Sequence, residues 1–94
     1  MVNPDVYEQI ALDVARLVQK KQIAYGNSFG RSGEILRILY PNGISHAHMD
    51  QALTIVRVLD KLFRIANEPE AFGESPWADI VGYGLLAEAR RMMS

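Results

Sequence analysis

The chain lacks cysteine altogether, and this absence excludes disulfide bonds and indicates a reducing compartment. It also lacks an excess of one charge: the formal net charge is −1 over 94 residues, so no global basic field favours DNA or RNA binding. No apolar stretch approaches the roughly 20 residues that cross a bilayer, and the opening segment MVNPD lacks the basic residues of a signal peptide. We therefore expect a cytoplasmic protein that binds neither a polynucleotide nor a membrane.

The composition is that of a folded domain. Hydrophobic residues make up 49% of the chain and charged residues 22%, which is apolar enough to form a core. We predict one domain spanning residues 1–94, because no repeat, low-complexity stretch or linker interrupts it. A domain of this size buries only about 60–65% of the surface that its unfolded chain exposes. We therefore expect a homo-oligomer, with Trp77 or the Met92-Met93 end at the interface.

The spacing of apolar residues predicts an all-α fold, a compact bundle of about four helices. The first helix has Asn3 as its N-cap and Pro4 at its first position. It extends for about five turns, until the segment YGNS at residues 25–28 breaks the helical spacing. The second helix is predicted from Ser32 to Tyr40, and the segment PNG at residues 41–43 ends it.

The third and fourth helices have clear starts. Ser45 is the expected N-cap of a helix over residues 46–67, whose apolar residues lie almost all round and predict a central, mostly buried helix. Ser75 and Pro76 are the N-cap and first-turn proline of a last helix that reaches about residue 92. Gly82 inside this helix costs roughly 1 kcal/mol relative to alanine. Its presence predicts that another helix crosses closely there, or that a ligand touches the backbone.

Three cations are spaced four and three residues apart on the third helix, namely Arg57, Lys61 and Arg64, and they therefore form one strip. One interpretation is a solvated face in which Asp60 pairs with Arg57 and Arg64. The other is an anion site, because cations on an otherwise apolar helix need a partner when they lose water. Spacing alone leaves both interpretations open.

Asp79 and Tyr83 are four residues apart on the fourth helix, which places both side chains on one face. Asp79 is suited either to an interhelical ion pair with Lys61 or Arg64, or to coordination of a metal ion. The chain contains no nucleophile elbow, phosphate-binding loop, dinucleotide fingerprint or zinc-ligand spacing. The residues by themselves therefore do not assign a reaction.

Three segments stand out together: KQIAYGNSF at residues 21–29, RVLDKLFRI at 57–65 and ESPWADIVGYGLL at 74–86. They contain a lysine before a Tyr-Gly turn, a Lys-x-x-Arg on a long helix and a carboxylate that begins a Gly-Tyr helix. The positions concerned are Lys21, Tyr25, Gly26, Lys61, Arg64, Asp79, Gly82 and Tyr83. In these features the chain resembles small phage and prophage proteins of the nucleotide-modification-associated type, in the wider neighbourhood of the MazG-like all-α nucleotide pyrophosphohydrolases.

The resemblance implies a single MazG-like helical domain that binds a nucleotide and acts as a Mg²⁺-dependent nucleoside triphosphate pyrophosphohydrolase. Asp79 and Asp60 are then the catalytic residues, and Asp79 and Glu74 the metal ligands. The nucleotide is expected to contact Lys21, Tyr25, Lys61, Arg64 and Tyr83. The chain departs from the MazG-like pattern in having no Glu-Glu-x-x-Glu run. Either a neighbouring subunit completes the metal site, or the fold binds a nucleotide without hydrolysing it.

Two alternatives to the hydrolase stay open. The first is a non-catalytic phage protein that sequesters a signalling nucleotide or otherwise antagonises a host system, with Tyr25 and Tyr83 in contact with the base. The second is a structural or interaction protein in which each of these residues only supports the fold. The number of carboxylates in the site separates the hydrolase from the binding protein, and the lack of any ligand would select the structural protein.

Overall fold

The computed structural model describes residues 5–93, which form four α-helices and two short 3₁₀ turns. The helices are α1 (Asp5–Tyr25), α2 (Ser28–Leu39), α3 (Met49–Asn67) and α4 (Pro76–Met93). The 3₁₀ turns at His46–His48 and Ala71–Gly73 precede α3 and α4. No β-strand occurs in this range. The predicted all-α class with four packed helices is confirmed.

Helix α3 is the centre of the fold, because α1, α2 and α4 each pack against it and make few contacts with one another. Its buried residues are Ala52, Leu59 and Arg64. The central position was predicted from its nearly continuous apolar surface. The helix is less buried than predicted, since three helices that scarcely touch each other do not close around it.

Helix α1 has 21 residues, nearly six turns, where the sequence predicts about five. The predicted cap at Asn3 and Pro4 lies outside the described residues. Every residue from Asp5 to Ile23 is exposed, and Ala24 is the one residue of α1 that is buried. Only the last turn of α1 is therefore seated in the body of the protein.

Helix α2 begins at Ser28, four residues before the predicted start at Ser32. The cause is Asn27, which adopts the left-handed conformation (φ 60°, ψ 40°), and whose side-chain oxygen accepts a hydrogen bond from the Gly30 amide at 3.3 Å. An asparagine tolerates this conformation and caps the first turn of a helix. The segment over residues 25–28 is thus a tight turn directly followed by a helix rather than a longer loop.

The two predicted serine caps differ in outcome. Ser75 caps α4 as predicted, because its hydroxyl accepts a hydrogen bond from the Ala78 amide at 3.2 Å. Ser45 makes no such bond, and its hydroxyl lies 3.2 Å from Nδ1 of His48. A 3₁₀ turn separates Ser45 from α3, so this serine is too far from the first α-helical turn to cap it.

The predicted close helix crossing at Gly82 is wrong. A Cβ atom built on Gly82 would meet nothing within 4 Å outside the backbone of α4 itself. The packing of α3 against α4 therefore does not require a small residue at this position, and open space lies beside the α4 backbone.

The four helices are arranged more openly than the compact bundle that was predicted. The Cα radius of gyration is 17.0 Å, against about 12 Å for a compact domain of this length. The chain exposes 7464 Å², whereas about 5,400 Å² is expected of a monomer of 10.5 kDa. None of the described helices is both long and apolar enough to cross a membrane.

Candidate functional site

A cavity of about 430 Å³ opens where the end of α1 and the start of α2 meet α3 and α4. This volume lies within the range of about 300–1,000 Å³ that is typical of small-molecule sites. Polar, charged and aromatic side chains line it together: Lys21, Gln22, Tyr25, Ser28, Phe29, Ser32, Val56, Arg57, Asp60, Lys61 and Tyr83. Residues distant in sequence thus form one candidate site, which we call the central cavity.

The turn between α1 and α2 gives the cavity its first wall. Gly26 and Asn27 both have positive φ values, 56° and 60°, and two such residues in succession reverse the chain within a short turn. A Cβ atom on Gly26 would collide with the side chain of Asn67 on α3. The glycine therefore allows the turn to lie against α3, which places the first turn of α2 at the cavity.

Lys61 is held by a carboxylate from the opposite helix. Its Nζ lies 3.2 Å from Oδ2 of Asp79, and only 14% of the lysine side chain is exposed. Burial disfavours its charged form, but the hydrogen bond and charge of Asp79, together with the Tyr25 hydroxyl, outweigh this and raise the pKa of Lys61. The interhelical ion pair predicted for Asp79 is therefore formed with Lys61.

Arg57 and Lys21 are the two other cations of the central cavity, and they have no carboxylate partner among residues 5–93. The Arg57 guanidinium instead lies over the Tyr83 ring, 5.9 Å from its centroid. The pairing of Asp60 with Arg57 and Arg64, which the solvated-face interpretation required, does not form within that range. Two positive charges are thus left facing the cavity without a counter-ion.

Aromatic residues line the central cavity together with the cations. Tyr25 stacks on Phe72 at a centroid distance of 6.3 Å, and its ring also lies 5.8 Å from Nζ of Lys61. Phe29, in the first turn of α2, is 94% exposed at the cavity. An exposed phenylalanine next to unpaired cations offers a flat apolar surface beside positive charge.

Arg64 does not line the central cavity, although it belongs to the same predicted strip as Arg57 and Lys61. Its side chain is 0% exposed, and Nη2 donates a hydrogen bond to the backbone carbonyl of Glu74. Its Nε and Nη1 atoms have no acceptor among the described residues. Arg64 therefore ties α3 to the segment before α4 and is out of reach of a ligand in the cavity.

The three predicted catalytic or metal-binding carboxylates lie in different surroundings. Asp60 lines the central cavity, Asp79 is engaged by Lys61, and Glu74 lines a separate cavity with Glu70 and Trp77. No group of three or more His, Cys, Asp or Glu residues suited to a metal ion occurs between residues 5 and 93. Within one chain, these carboxylates do not converge as a two-magnesium site requires.

Five of the predicted site residues therefore meet in the central cavity, namely Lys21, Tyr25, Asp60, Lys61 and Tyr83. Asp79 reaches it through its ion pair with Lys61, whereas Arg64 and Glu74 lie elsewhere. Arg57 and Phe29 were not among the expected nucleotide contacts, although Arg57 belongs to the strip for which an anion site was one interpretation. Arg57 was within reach, because it lies one helical turn before Lys61, but the position of Phe29 depends on the turn at Gly26 and Asn27.

Comparison of the chain with protein-family models, with curated proteins and with solved structures gives no match.

Proposed function

We propose that the protein binds a nucleotide in the central cavity, with the phosphate near Arg57 and Lys21 and the base near Phe29 and Tyr83. The observation that carries this proposal is the pair of cations without a carboxylate partner in a cavity with aromatic walls. A nucleotide combines the two features that such a cavity complements, an anionic phosphate and a flat base.

The charge of the cavity supports a phosphate. Three cations line it, and the carboxylates beside them are Asp60 in the lining and Asp79 on Lys61, so the local net charge is +1 in a chain whose net charge is −1. Ser28 and Phe29, the first two residues of α2, also line it. The first amides of a helix have no acceptor within the helix and attract anions. The cations of the central cavity and the start of α2 therefore both favour a negatively charged ligand at the same place.

The exposure of Phe29 supports a base. A phenylalanine that is almost fully exposed gains nothing from folding, whereas stacking against a base is worth about 1–3 kcal/mol. Tyr83 is half-buried below Arg57 and provides a second ring. A free mononucleotide and a cyclic signalling nucleotide share the chemistry of phosphate and base, and both are included in the test below.

Binding, rather than hydrolysis, is the activity to which these residues are suited. Asp79 forms an ion pair with Lys61, and among residues 5–93 Asp60 is the one carboxylate that lines the cavity. A two-metal hydrolase needs several carboxylates around the phosphates. If Mg²⁺ accompanies the nucleotide, Asp60 is the residue of this chain placed to approach it.

The test is a thermal-shift titration of the full chain with a nucleotide panel, with and without Mg²⁺, followed by an assay of phosphate and pyrophosphate release. The panel contains mononucleotides, nucleoside triphosphates and cyclic dinucleotides. A ligand at 100 times its dissociation constant stabilises the folded state by about 2.7 kcal/mol, which is a large shift for a small domain. Stabilisation without product release supports binding alone, and Mg²⁺-dependent release would identify the hydrolase.

The matched pair of variants is Arg57→Met and Arg37→Met. Both arginines are exposed and neither forms an ion pair in the described range, but only Arg57 lines the cavity. Loss of a hydrogen bond to a charged group costs about 1.5–3 kcal/mol, so Arg57→Met should weaken nucleotide binding at least tenfold, and Arg37→Met should not. Equal affinities for both variants, or no stabilisation by any nucleotide, would contradict the proposal.

A further inference from the structure

In the first four turns of α1 every residue is exposed, and no other described part of the chain covers its apolar side chains. Four residues share one face of this part of α1, since they are spaced four, four and three residues apart. We call them the α1 strip: Val6, Ile10, Val14 and Leu17. Each is between 41% and 54% exposed.

The α1 strip continues a face that is buried where α1 joins the body. Ile10, Leu17 and Ala24 follow one another at intervals of seven residues and therefore lie on the same side of the helix. Along this line the exposed fraction falls from 54% at Ile10 and 47% at Leu17 to 0% at Ala24. The same face is thus a packing surface at one end of α1 and is uncovered at the other.

An uncovered helix lacks the interaction that stabilises most helices in proteins. Isolated helices shorter than about 12–15 residues are marginal in water even when they are rich in alanine, and most helical stability in proteins comes from packing of the apolar face. Helix α4 also exposes apolar residues, but it is anchored on α3 near both ends by the ion pairs Asp79 to Lys61 and Arg90 to Asp50. Helix α1 therefore needs a partner more than α4 does.

We propose that the partner is a second copy of this chain, and that the two α1 helices pack antiparallel through their α1 strips. The surface area supports a self-association of ordinary size. The chain exposes about 2,000 Å² more than a compact monomer of its mass, and a stable interface of standard size needs about 800 Å² from each partner.

The charges of α1 favour the antiparallel orientation. Beside the α1 strip, the acidic Asp13 lies in the first half of the helix and the basic Lys20 in the second half. In a parallel pair like charges would face each other, whereas an antiparallel pair sets the acidic half of each helix against the basic half of the other. The sign changes between Asp13 and Arg16, so the two-fold axis of the dimer passes near Val14.

The first experiment measures the mass of the full chain in solution by light scattering, for the wild type, Leu17→Glu and Leu12→Glu. Leu17 and Leu12 are both 47% exposed, but Leu12 lies on the opposite face of α1 from the α1 strip. The wild type and Leu12→Glu should be dimers. Leu17→Glu should raise the dissociation constant at least about 30-fold, because each dimer would bury two unpaired carboxylates.

The second experiment tests the orientation without disturbing the fold, and uses the absence of cysteine. Val14→Cys should form a disulfide-linked dimer under mild oxidation, since the two copies of residue 14 meet near the axis. Val6→Cys should not, because the antiparallel arrangement carries the two copies of residue 6 to opposite ends. Linking of both variants would show a parallel pair and overturn the orientation.

A wild type that is monomeric at 100 μM would overturn the dimer. A dimer that Leu17→Glu leaves intact would also overturn it. Val81→Glu places a charge on the exposed surface of α4, and if this variant alone dissociated the dimer, the interface would lie on α4. The proposal does not rest on nucleotide binding, because mass and cross-linking are measured without any ligand.

Discussion

Replacing Arg64 tests whether this buried cation is a structural tie rather than a phosphate ligand. Its side chain is 0% exposed and makes one hydrogen bond, to the backbone carbonyl of Glu74. The informative comparison is between Arg64→Ala, which removes the charge and most of the stem, and Arg64→Met, which removes the charge but keeps a chain of similar length.

The expected magnitudes follow from those contacts. Both variants lose one charge-assisted hydrogen bond, worth about 1.5–3 kcal/mol. Both also remove two buried nitrogen atoms, Nε and Nη1, whose N–H groups have no acceptor among the described residues, a relief of about 1–3 kcal/mol. Arg64→Ala in addition loses two buried methylenes, about 0.8 kcal/mol each. We expect Arg64→Ala to cost about 2 kcal/mol, and Arg64→Met to lie within about 1 kcal/mol of the wild type.

The assay is urea unfolding followed by far-UV circular dichroism, at one protein concentration because self-association contributes to stability. Nucleotide affinity, corrected for the folded fraction, should be unchanged in both variants. If Arg64→Met lowers the free energy of unfolding as much as Arg64→Ala does, the guanidinium makes a stabilising contact besides its hydrogen bond to Glu74. If affinity falls while stability is retained, Arg64 binds the ligand and the structural role is refuted.

Two further predictions concern α4 and its contact with α3. Gly82→Ala should raise the free energy of unfolding by up to about 1 kcal/mol, because the methyl group meets open space and alanine favours a helix; thermal unfolding that shows a loss would indicate a body packed against Gly82. The pKa of Lys61 is raised by Asp79 and Tyr25 against the opposing effect of burial, so its ion pair stabilises fully below about pH 10.4 and is lost as the pH rises through the raised pKa. The wild type should lose more stability over that alkaline range than Lys61→Met does, and parallel curves of urea midpoint against pH would contradict the pair's contribution.

The helices could be predicted from the sequence, but not the way they pack. The end of α1 and the start of α4 follow from local signals that act within a few residues. These signals are the YGNS break after α1 and the Ser75 cap before α4. The start of α2 was predicted four residues too far along the chain. It depends on the left-handed conformation of Asn27, and the only sign of this in the sequence is the asparagine itself. The prediction of a close helix crossing at Gly82 was wrong for a different reason. A glycine in a helix shows that a side chain is absent, but it does not show that a neighbouring helix fills the space.

The site was predictable where residues share a helix. Spacing placed Lys61 on the cation strip of one helix and Asp79 on one face of another; it left Lys61, Arg64 and a metal ion open as partners of Asp79, and the ion pair is formed with Lys61. Arg64 is on the same strip as Arg57 and Lys61, yet it is buried, because the segment before α4 lies against α3 at the level of Arg64 and accepts its hydrogen bond. Phe29 reaches the cavity only through the turn before α2, which is a tertiary feature without a spacing pattern.

The most direct test of the central claim is to map where the nucleotide binds. Amide signals of the ¹⁵N-labelled protein are followed by NMR while the tightest ligand of the panel is added. Binding in the central cavity predicts shifts centred on the amides of Lys21, Ser28, Phe29, Arg57 and Tyr83, with little change around Glu70 and Trp77 at the separate acidic cavity. Shifts confined to other surfaces, or no shift at millimolar nucleotide, would contradict the account.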